Sequence, residues 1–281
     1  MGFQICVVGL GLMGASMARA LRGFRGASIV GADVRGDVCA LAEQDGTVER
    51  AYTDAGEAIE GSDLVIFCVY AHHIPPIARQ NGGAFKPGAV LCDICGVKSG
   101  LYAELLPLLP KNTDYVGLHP MAGKERDGFE NADPAIYKNS GFIISPLPST
   151  KPETTVLARE LAVHVGAARI AEVPPEKHDE IIAYTSDLMH IAAAGLCVDF
   201  HPEMTLAFTA GAFRDCTRIA DINAGAWTEL LLSNRKHTAD CLDKYIESLK
   251  KIRLALGQND ADGLRALLER AGENKREMLK R

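Results

Sequence analysis

The hydrophobic positions of this chain change period once. Up to Val173 they fall into short, nearly continuous runs bounded by glycines, prolines and acids, the pattern of strands covered on both faces. Residues 3–8, 28–32, 63–69, 89–92, 115–118, 141–145 and 167–171 read as strands, with helices over 15–21 and 154–165. Val173-Pro174-Pro175-Glu176 stops that pattern, and Lys177-His178-Asp179-Glu180 follows as an acid-rich first helical turn. Residues 181–200, 206–219, 224–232, 237–256 and 261–279 then carry apolar side chains at helical spacing. The pattern predicts an α/β N-terminal Rossmann-like domain over residues 1–172 and an all-α C-terminal domain over 173–281. A helical unit of about 110 residues with so many apolar positions is expected to complete its core against a second copy, as a homodimer.

The first strand runs directly into Gly9-Leu10-Gly11-Leu12-Met13-Gly14 and then into a helix, the context that gives a G-x-G-x-x-G pattern its meaning. Gly9 permits the tight turn, Gly11 lets backbone approach a pyrophosphate, and Gly14 lets helix pack on strand; Leu12 and Met13 belong to the same cofactor-binding turn. The phosphates are expected on the unsatisfied N–H groups of the helix N-terminus. The second strand ends at Asp33, where a carboxylate accepts bonds from both ribose hydroxyls and repels a 2′-phosphate. The expected cofactor is therefore NAD. Arg35 is the opposing signal, since a nearby Arg welcomes NADP, and it is read as a solvated surface charge.

Composition removes several classes. With 47% apolar and 23% charged residues in 281, the chain is a soluble globular protein with room for sizeable cores. A net charge of −6 argues against nucleic acid as the main partner and requires a local cationic cluster for any anionic substrate. No apolar run is read as long enough to cross a bilayer, no leader peptide is read at the start, and no membrane partner is expected. Eight scattered cysteines suit a reducing, cytoplasmic setting. Cys92 and Cys95 form a C-x-x-C without a second pair, read as neither redox nor zinc chemistry. The adjacent His72 and His73 cannot aim at one ion from a regular element and are placed in a loop near the cofactor; no metal is expected.

The candidate chemistry centres on residues 117–128, Gly-Leu-His-Pro-Met-Ala-Gly-Lys-Glu-Arg-Asp-Gly, where a strand delivers His119, with Lys124 and Glu125 close behind. Ligands of a nucleotide-binding sheet meet the chain at the carboxyl ends of its strands, and an imidazole there can take a proton near neutral pH. Lys98 is expected to open a helix and position the preceding loop. In the helical half, Arg214 and Arg218 are one turn apart. Two guanidinium groups so placed suit a bound carboxylate, or equally a salt bridge across a subunit interface; Asp215 between them is expected to point elsewhere. His190, taken alone, reads as a hydrogen-bonded core residue, and Trp227 as core.

Over essentially its whole length the chain resembles the prephenate dehydrogenase family of tyrosine biosynthesis. The likeness rests on the glycine pattern at residues 9–14, Gly117-Leu118-His119-Pro120-Met121-Ala122-Gly123, His178-Asp179, and Phe213-Arg214-Asp215-Cys216-Thr217-Arg218-Ile219-Ala220. It implies the short, monofunctional form, with no mutase segment before the Rossmann unit and no regulatory domain after the helices. The implied activity is NAD-dependent oxidative decarboxylation of prephenate to 4-hydroxyphenylpyruvate. The resemblance implies that His119 accepts a hydrogen bond from the substrate's C4 hydroxyl and that Arg218 anchors a carboxylate. It further makes His190 a second substrate contact and Glu125 an acidic gate residue. Arg214 and Lys124 would add positive field.

The chain departs from the family at Gly96, in the cofactor-binding loop, where a Ser is usual, and at Asp187, where many members have His or Gln. Ser99 or a water is the candidate replacement for the missing hydroxyl. Three other readings compete. Arogenate dehydrogenase is the close variant within the family. A β-hydroxyacid dehydrogenase shares the glycine opening, but its catalytic Lys is not found around residues 187–199. A non-catalytic NAD-binding sensor is motivated by Gly96.

Overall fold

The computed structural model describes residues 2–124, 126–199, 201 and 203–280. Its first 172 residues form one eight-stranded sheet in the order β3-β2-β1-β4-β5-β6-β7-β8. The strands are β1 (Gln4–Val8), β2 (Ser28–Ala32), β3 (Arg50–Tyr52), β4 (Leu64–Phe67), β5 (Val90–Asp93), β6 (Asp114–Met121), β7 (Gly141–Pro146) and β8 (Arg169–Glu172). Six run parallel; β7 turns back antiparallel to β6, and β8 runs parallel to β7. The helices α1 (Leu12–Ala20), α2 (Gly36–Gln44), α3 (Ala55–Ile59), α4 (Ile74–Gln80), α5 (Ser99–Leu105) and α6 (Pro152–His164) connect them.

Alternate side chains of β1 show why the runs are continuous rather than alternating. Ile5 and Val7 enter the core on one face, while Cys6 and Val8 enter a separate core on the other. A strand buried on both faces has no polar side.

Two differences from the sequence reading stand out. The strand β3 was not read, being three residues with an exposed Arg50, yet it pairs with Val30–Ala32 at the sheet edge. The strand β6 does not end at Leu118. His119, Pro120 and Met121 pair with Ile143, Phe142 and Gly141, so the imidazole is mounted on a strand rather than on the loop after it. The chain turns only beyond, where Ala122 N–H donates to the Pro120 carbonyl at 2.8 Å.

From Pro175 the described elements are helical: α7 (Pro175–Ile182), a π-turn over Ala183–Asp187, α8 (Leu188–Val198), α9 (Gly211–Thr217), α10 (Ala224–Ser233), α11 (Arg235–Gly257) and α12 (Ala261–Met278). The helix whose first turn was read at residues 177–180 begins two residues earlier, at Pro175, with the proline in the first turn where its missing N–H costs nothing. The stretch Pro175–Val198 is long and apolar enough, by length and composition, to cross a membrane, which corrects the expectation that no run would be. Within the protein its Asp187 is fully buried and accepts bonds from Asn234 Nδ2 at 2.9 Å and Thr238 Oγ1 at 2.8 Å. Only 28% of its most apolar stretch is buried within the chain.

Candidate active site

The glycine turn has the shape its pattern demands. Gly9 has φ of +93°, and a Cβ there would lie 2.7 Å from the Cys68 carbonyl oxygen. A Cβ on Gly14 would lie 1.8 Å from the Gly9 oxygen, so helix and strand could not approach as they do. Gly11 is the opposite case: nothing lies within 4 Å of the missing Cβ, which leaves its face open to a ligand. Leu12 is buried at the start of α1 and Met13 half-buried, its carbonyl held by Tyr137 Oη at 2.7 Å. No side chain caps α1, so its first-turn N–H groups are left for an anion.

At the end of β2, Asp33 takes Leu10 N–H at 2.9 Å on one oxygen and Arg35 N–H at 3.0 Å on the other. A carboxylate has about four acceptor positions, so two remain for ribose hydroxyls. The Arg35 guanidinium is held by Asp37 at 2.6 Å, both exposed, and that pairing raises its pKa. The open glycine, the uncapped helix and the anchored carboxylate fit NAD.

His119 is half-buried, and its Nδ1 lies 2.9 Å from Nε2 of His178 on α7. His178 Nδ1 in turn lies 2.8 Å from Asp179 Oδ1, and the Asp179 carboxylate accepts the backbone N–H groups of Lys98 at 2.9 Å and Ser99 at 2.8 Å. Burial, aided by His178 and Lys98, pushes the His119 pKa well below the ordinary imidazole value. Burial also lowers His178, with Asp179 working against it. For Asp179 burial acts upward, but the bonds from His178 and the Ser99 N–H outweigh it and hold the carboxyl low. The imidazole of His119 is thus neutral at physiological pH.

Under this chain of groups lies a second, fully buried one. Lys98 Nζ donates to Asp93 Oδ1, to the Cys95 carbonyl at 2.9 Å and to the Leu118 carbonyl at 2.6 Å, while Tyr115 Oη donates to Asp93 Oδ2 at 2.6 Å. Lys98 therefore does more than open α5: it ties the loop bearing Gly96 to the residue before His119. Gly117 makes this possible, because a Cβ there would meet the Tyr102 hydroxyl at 1.7 Å. The Cys92 and Cys95 thiols bond different carbonyls, Val65 and Val69, and burial pushes both pKa values up, so neither is a thiolate near pH 7.

The helical unit closes over this edge of the sheet through α10. Asn223, capping α10, donates to Asp127 at 2.9 Å, and Glu229 meets His72 Nδ1 at 2.5 Å. Leu230 occupies the space beside Gly96, where an added Cβ would lie 2.9 Å from Leu230 Cδ1. The missing serine of the family pattern is thus matched by an apolar side chain rather than by a void.

Trp227, expected in the core, is half-exposed and lies against the His190 ring with centroids 3.6 Å apart. His190 is likewise half-buried, its Nδ1 on the Ser186 carbonyl at 3.0 Å. Arg214 on α9 and Arg218 in the turn after it line an open cleft; Asp215, expected to point elsewhere, lines it too. Lys124 is corrected as a free source of positive field: its ammonium sits on Asp133 at 3.1 Å. Glu125 lies outside the described residues. The residues missed by sequence reading are the bridge to Asp179, Trp227 and Leu230. The His-Asp pair after the double proline was the one available signal.

Residues 17–171 match the family model described as prephenate dehydrogenase, nucleotide-binding domain, and residues 174–270 match the model described as prephenate dehydrogenase, dimerization domain. A prephenate dehydrogenase of Bacillus subtilis is 28% identical over 267 residues, covering 92% of this chain and 72% of that protein. A cyclohexadienyl dehydrogenase of Zymomonas mobilis is 29% identical over 272 residues, 93% of this chain and 91% of that one. The crystal structure of the Aquifex aeolicus prephenate dehydrogenase, in complex with hydroxyphenyl propionate and NAD+, superposes with a TM-score of 0.87 at 25% identity, covering 99% of each chain.

Proposed function

We propose residue roles from one premise: the chain belongs to the prephenate dehydrogenase family. It is an oxidoreductase that converts prephenate to 4-hydroxyphenylpyruvate and CO2 with NAD as cofactor. Bound NAD supplies the acceptor for the hydride that leaves C4 of the substrate ring. The chain's own residues manage charge and position. His119, neutral because it is buried beside His178 and Lys98, takes the C4 hydroxyl proton as that carbon becomes a carbonyl. The ring carboxylate then leaves as CO2, its bonding pair restores aromaticity, and His119 returns the proton to the phenolic oxygen. Loss of CO2 is driven by the ring itself, so the protein has to orient the ring and exclude water.

Arg218 anchors a substrate carboxylate, with Arg214 beside it in the same cleft and His190, backed by Trp227, on the facing helix. The turn over Gly9, Gly11, Leu12, Met13 and Gly14, together with Asp33 and the Gly96 loop, holds the dinucleotide. The observation that carries the reading is His119 mounted on β6 of the same sheet that bears the dinucleotide turn after β1, its ring braced by His178 of the helical unit.

We infer further that the enzyme works as a cytoplasmic homodimer through the helical unit. Phe208, Val198 and Leu232 are 80%, 78% and 64% exposed in the single chain, a surface that a second copy would cover. The test of the activity is absorbance at the NADH band with purified protein, NAD and either prephenate or arogenate. Prephenate is expected to drive reduction; reduction with arogenate alone would move the chain to the close variant, and reduction with neither would end the reading.

A further inference from the structure

His178 has no task in the roles set out above, yet it is fully buried and stands between the proton acceptor and a carboxylate. The argument starts at Asp179. An ionised carboxylate only accepts hydrogen bonds, and this one is pinned by two backbone N–H groups, Lys98 on Oδ1 and Ser99 on Oδ2, that cannot reverse their polarity. His178 Nδ1 approaches the same Oδ1 at 2.8 Å, so it must bring the proton. In a neutral ring the opposite nitrogen, Nε2, is then bare. That bare nitrogen lies 2.9 Å from His119 Nδ1. Two ring nitrogens at that separation share one proton, which only His119 can supply. With Nδ1 protonated, His119 is left with Nε2 as its lone-pair nitrogen.

We propose that His178, oriented by Asp179, is a positioning residue that fixes His119 in the tautomer whose bare Nε2 accepts the substrate proton. The opposite tautomer would set two lone pairs against each other across 2.9 Å in a buried place. The same contact serves the charged stage. When His119 becomes an imidazolium, its Nδ1–H bond to His178 becomes charge-assisted without any atom moving.

The device spans both units of the protein. His119 is on β6, the N–H groups are at the start of α5, and His178 and Asp179 are on α7. The α7 backbone is held in turn from α11, where Asn234 Nδ2 donates to the Asp179 carbonyl at 3.0 Å and to Asp187 at 2.9 Å. Docking of the helical unit therefore sets the proton position on the base of the sheet unit.

This inference rests on His119 being the proton acceptor, and its tests separate the two claims. In unaltered protein without substrate, 15N NMR of labelled histidines, assigned with His119→Asn, is expected to show His119 protonated at Nδ1 and bare at Nε2. A proton on Nε2 overturns the proposal. Kinetically, His178→Gln keeps an acceptor oxygen for the His119 Nδ1–H, whereas His178→Leu fills similar space with none. The Gln variant is expected to keep kcat within about tenfold, and the Leu variant to lose about 10²–10⁴-fold with NAD affinity within about twofold of native. Equal losses in the two variants overturn the tautomer role, as does a Leu variant with native kcat. If the Leu variant does not fold, the NMR result on native protein decides. The predicted tautomer together with full turnover in His119→Asn would sink the role of His119 and leave its tautomer assignment standing.

Discussion

In the sheet unit, Ile5, Cys6, Val7, Val65, Ile66 and Phe67 are completely removed from solvent, and two cores close on either side of the strands. In the helical unit, α10 and α12 have no buried residue at all, and the buried positions of α8 and α11 are few: Leu188, Ala193, Thr238 and Ala255. Among its buried groups is a polar cluster, Asp187 with Asn234 and Thr238, and Asn234 reaches from it to the backbone of Asp179, which supports His119 through His178. The first unit closes its core within one chain. The second, matched by a model described as a dimerization domain, faces the active site on one side, and in the proposed dimer it faces a second copy on the other.

Charge on the partner-facing side should break the molecule most. Phe208→Asp or Leu232→Asp is expected to convert dimer to monomer in sedimentation velocity, to lower Tm and to make Tm depend on protein concentration. Val163 on α6 is as exposed as Leu232, at 62%, but belongs to the self-sufficient unit. Val163→Asp is expected to change stability by no more than about 0.5 kcal/mol and to leave the dimer intact. A dimer that survives both interface charges would remove the contrast.

The next effect lies at the seam between the units. Gly96→Ser places a Cβ 2.9 Å from Leu230 Cδ1, so alone it is expected to lower kcat by displacing α10. Leu230→Ala should relieve it, and the double-mutant cycle should give a coupling of about 0.5–3 kcal/mol. Strict additivity would mean that Leu230 does not replace the family's serine.

The smallest effect concerns Asp187, whose pKa burial raises above the usual carboxyl value. A folded-state pKa above the unfolded one means that the folded state holds the extra proton, so stability falls as pH rises through that window. Asp187→Asn keeps a hydrogen-bonding amide and removes the charge. It is expected to raise Tm at pH 7 and to lose that advantage as pH falls toward 4, read by thermal melts across pH.

These contrasts also explain what could be read from residues alone. The strands of the first unit are local: each is a run of apolar residues closed by a glycine or an acid, and the cofactor turn at Gly9 to Gly14 carries its own steric reasons. β3 was missed because three edge residues carry no period, and the end of β6 because antiparallel pairing with β7 kept Pro120 in the strand against its usual preference. In the helical unit the periodicity gave helices but not their orientation. Trp227 was assigned to the core; it is half-exposed and stacks on His190 instead. The bridge from His119 to Asp179 joins residues 59 apart in sequence at its first step, a distance no local pattern spans.

The central claim is tested most directly by His119→Asn, assayed for prephenate-dependent NADH formation alongside NAD binding by fluorescence titration. The account predicts turnover reduced by about 10²–10⁴-fold with NAD affinity nearly unchanged. Turnover within a few-fold of native, with the variant folded and NAD bound, would contradict it.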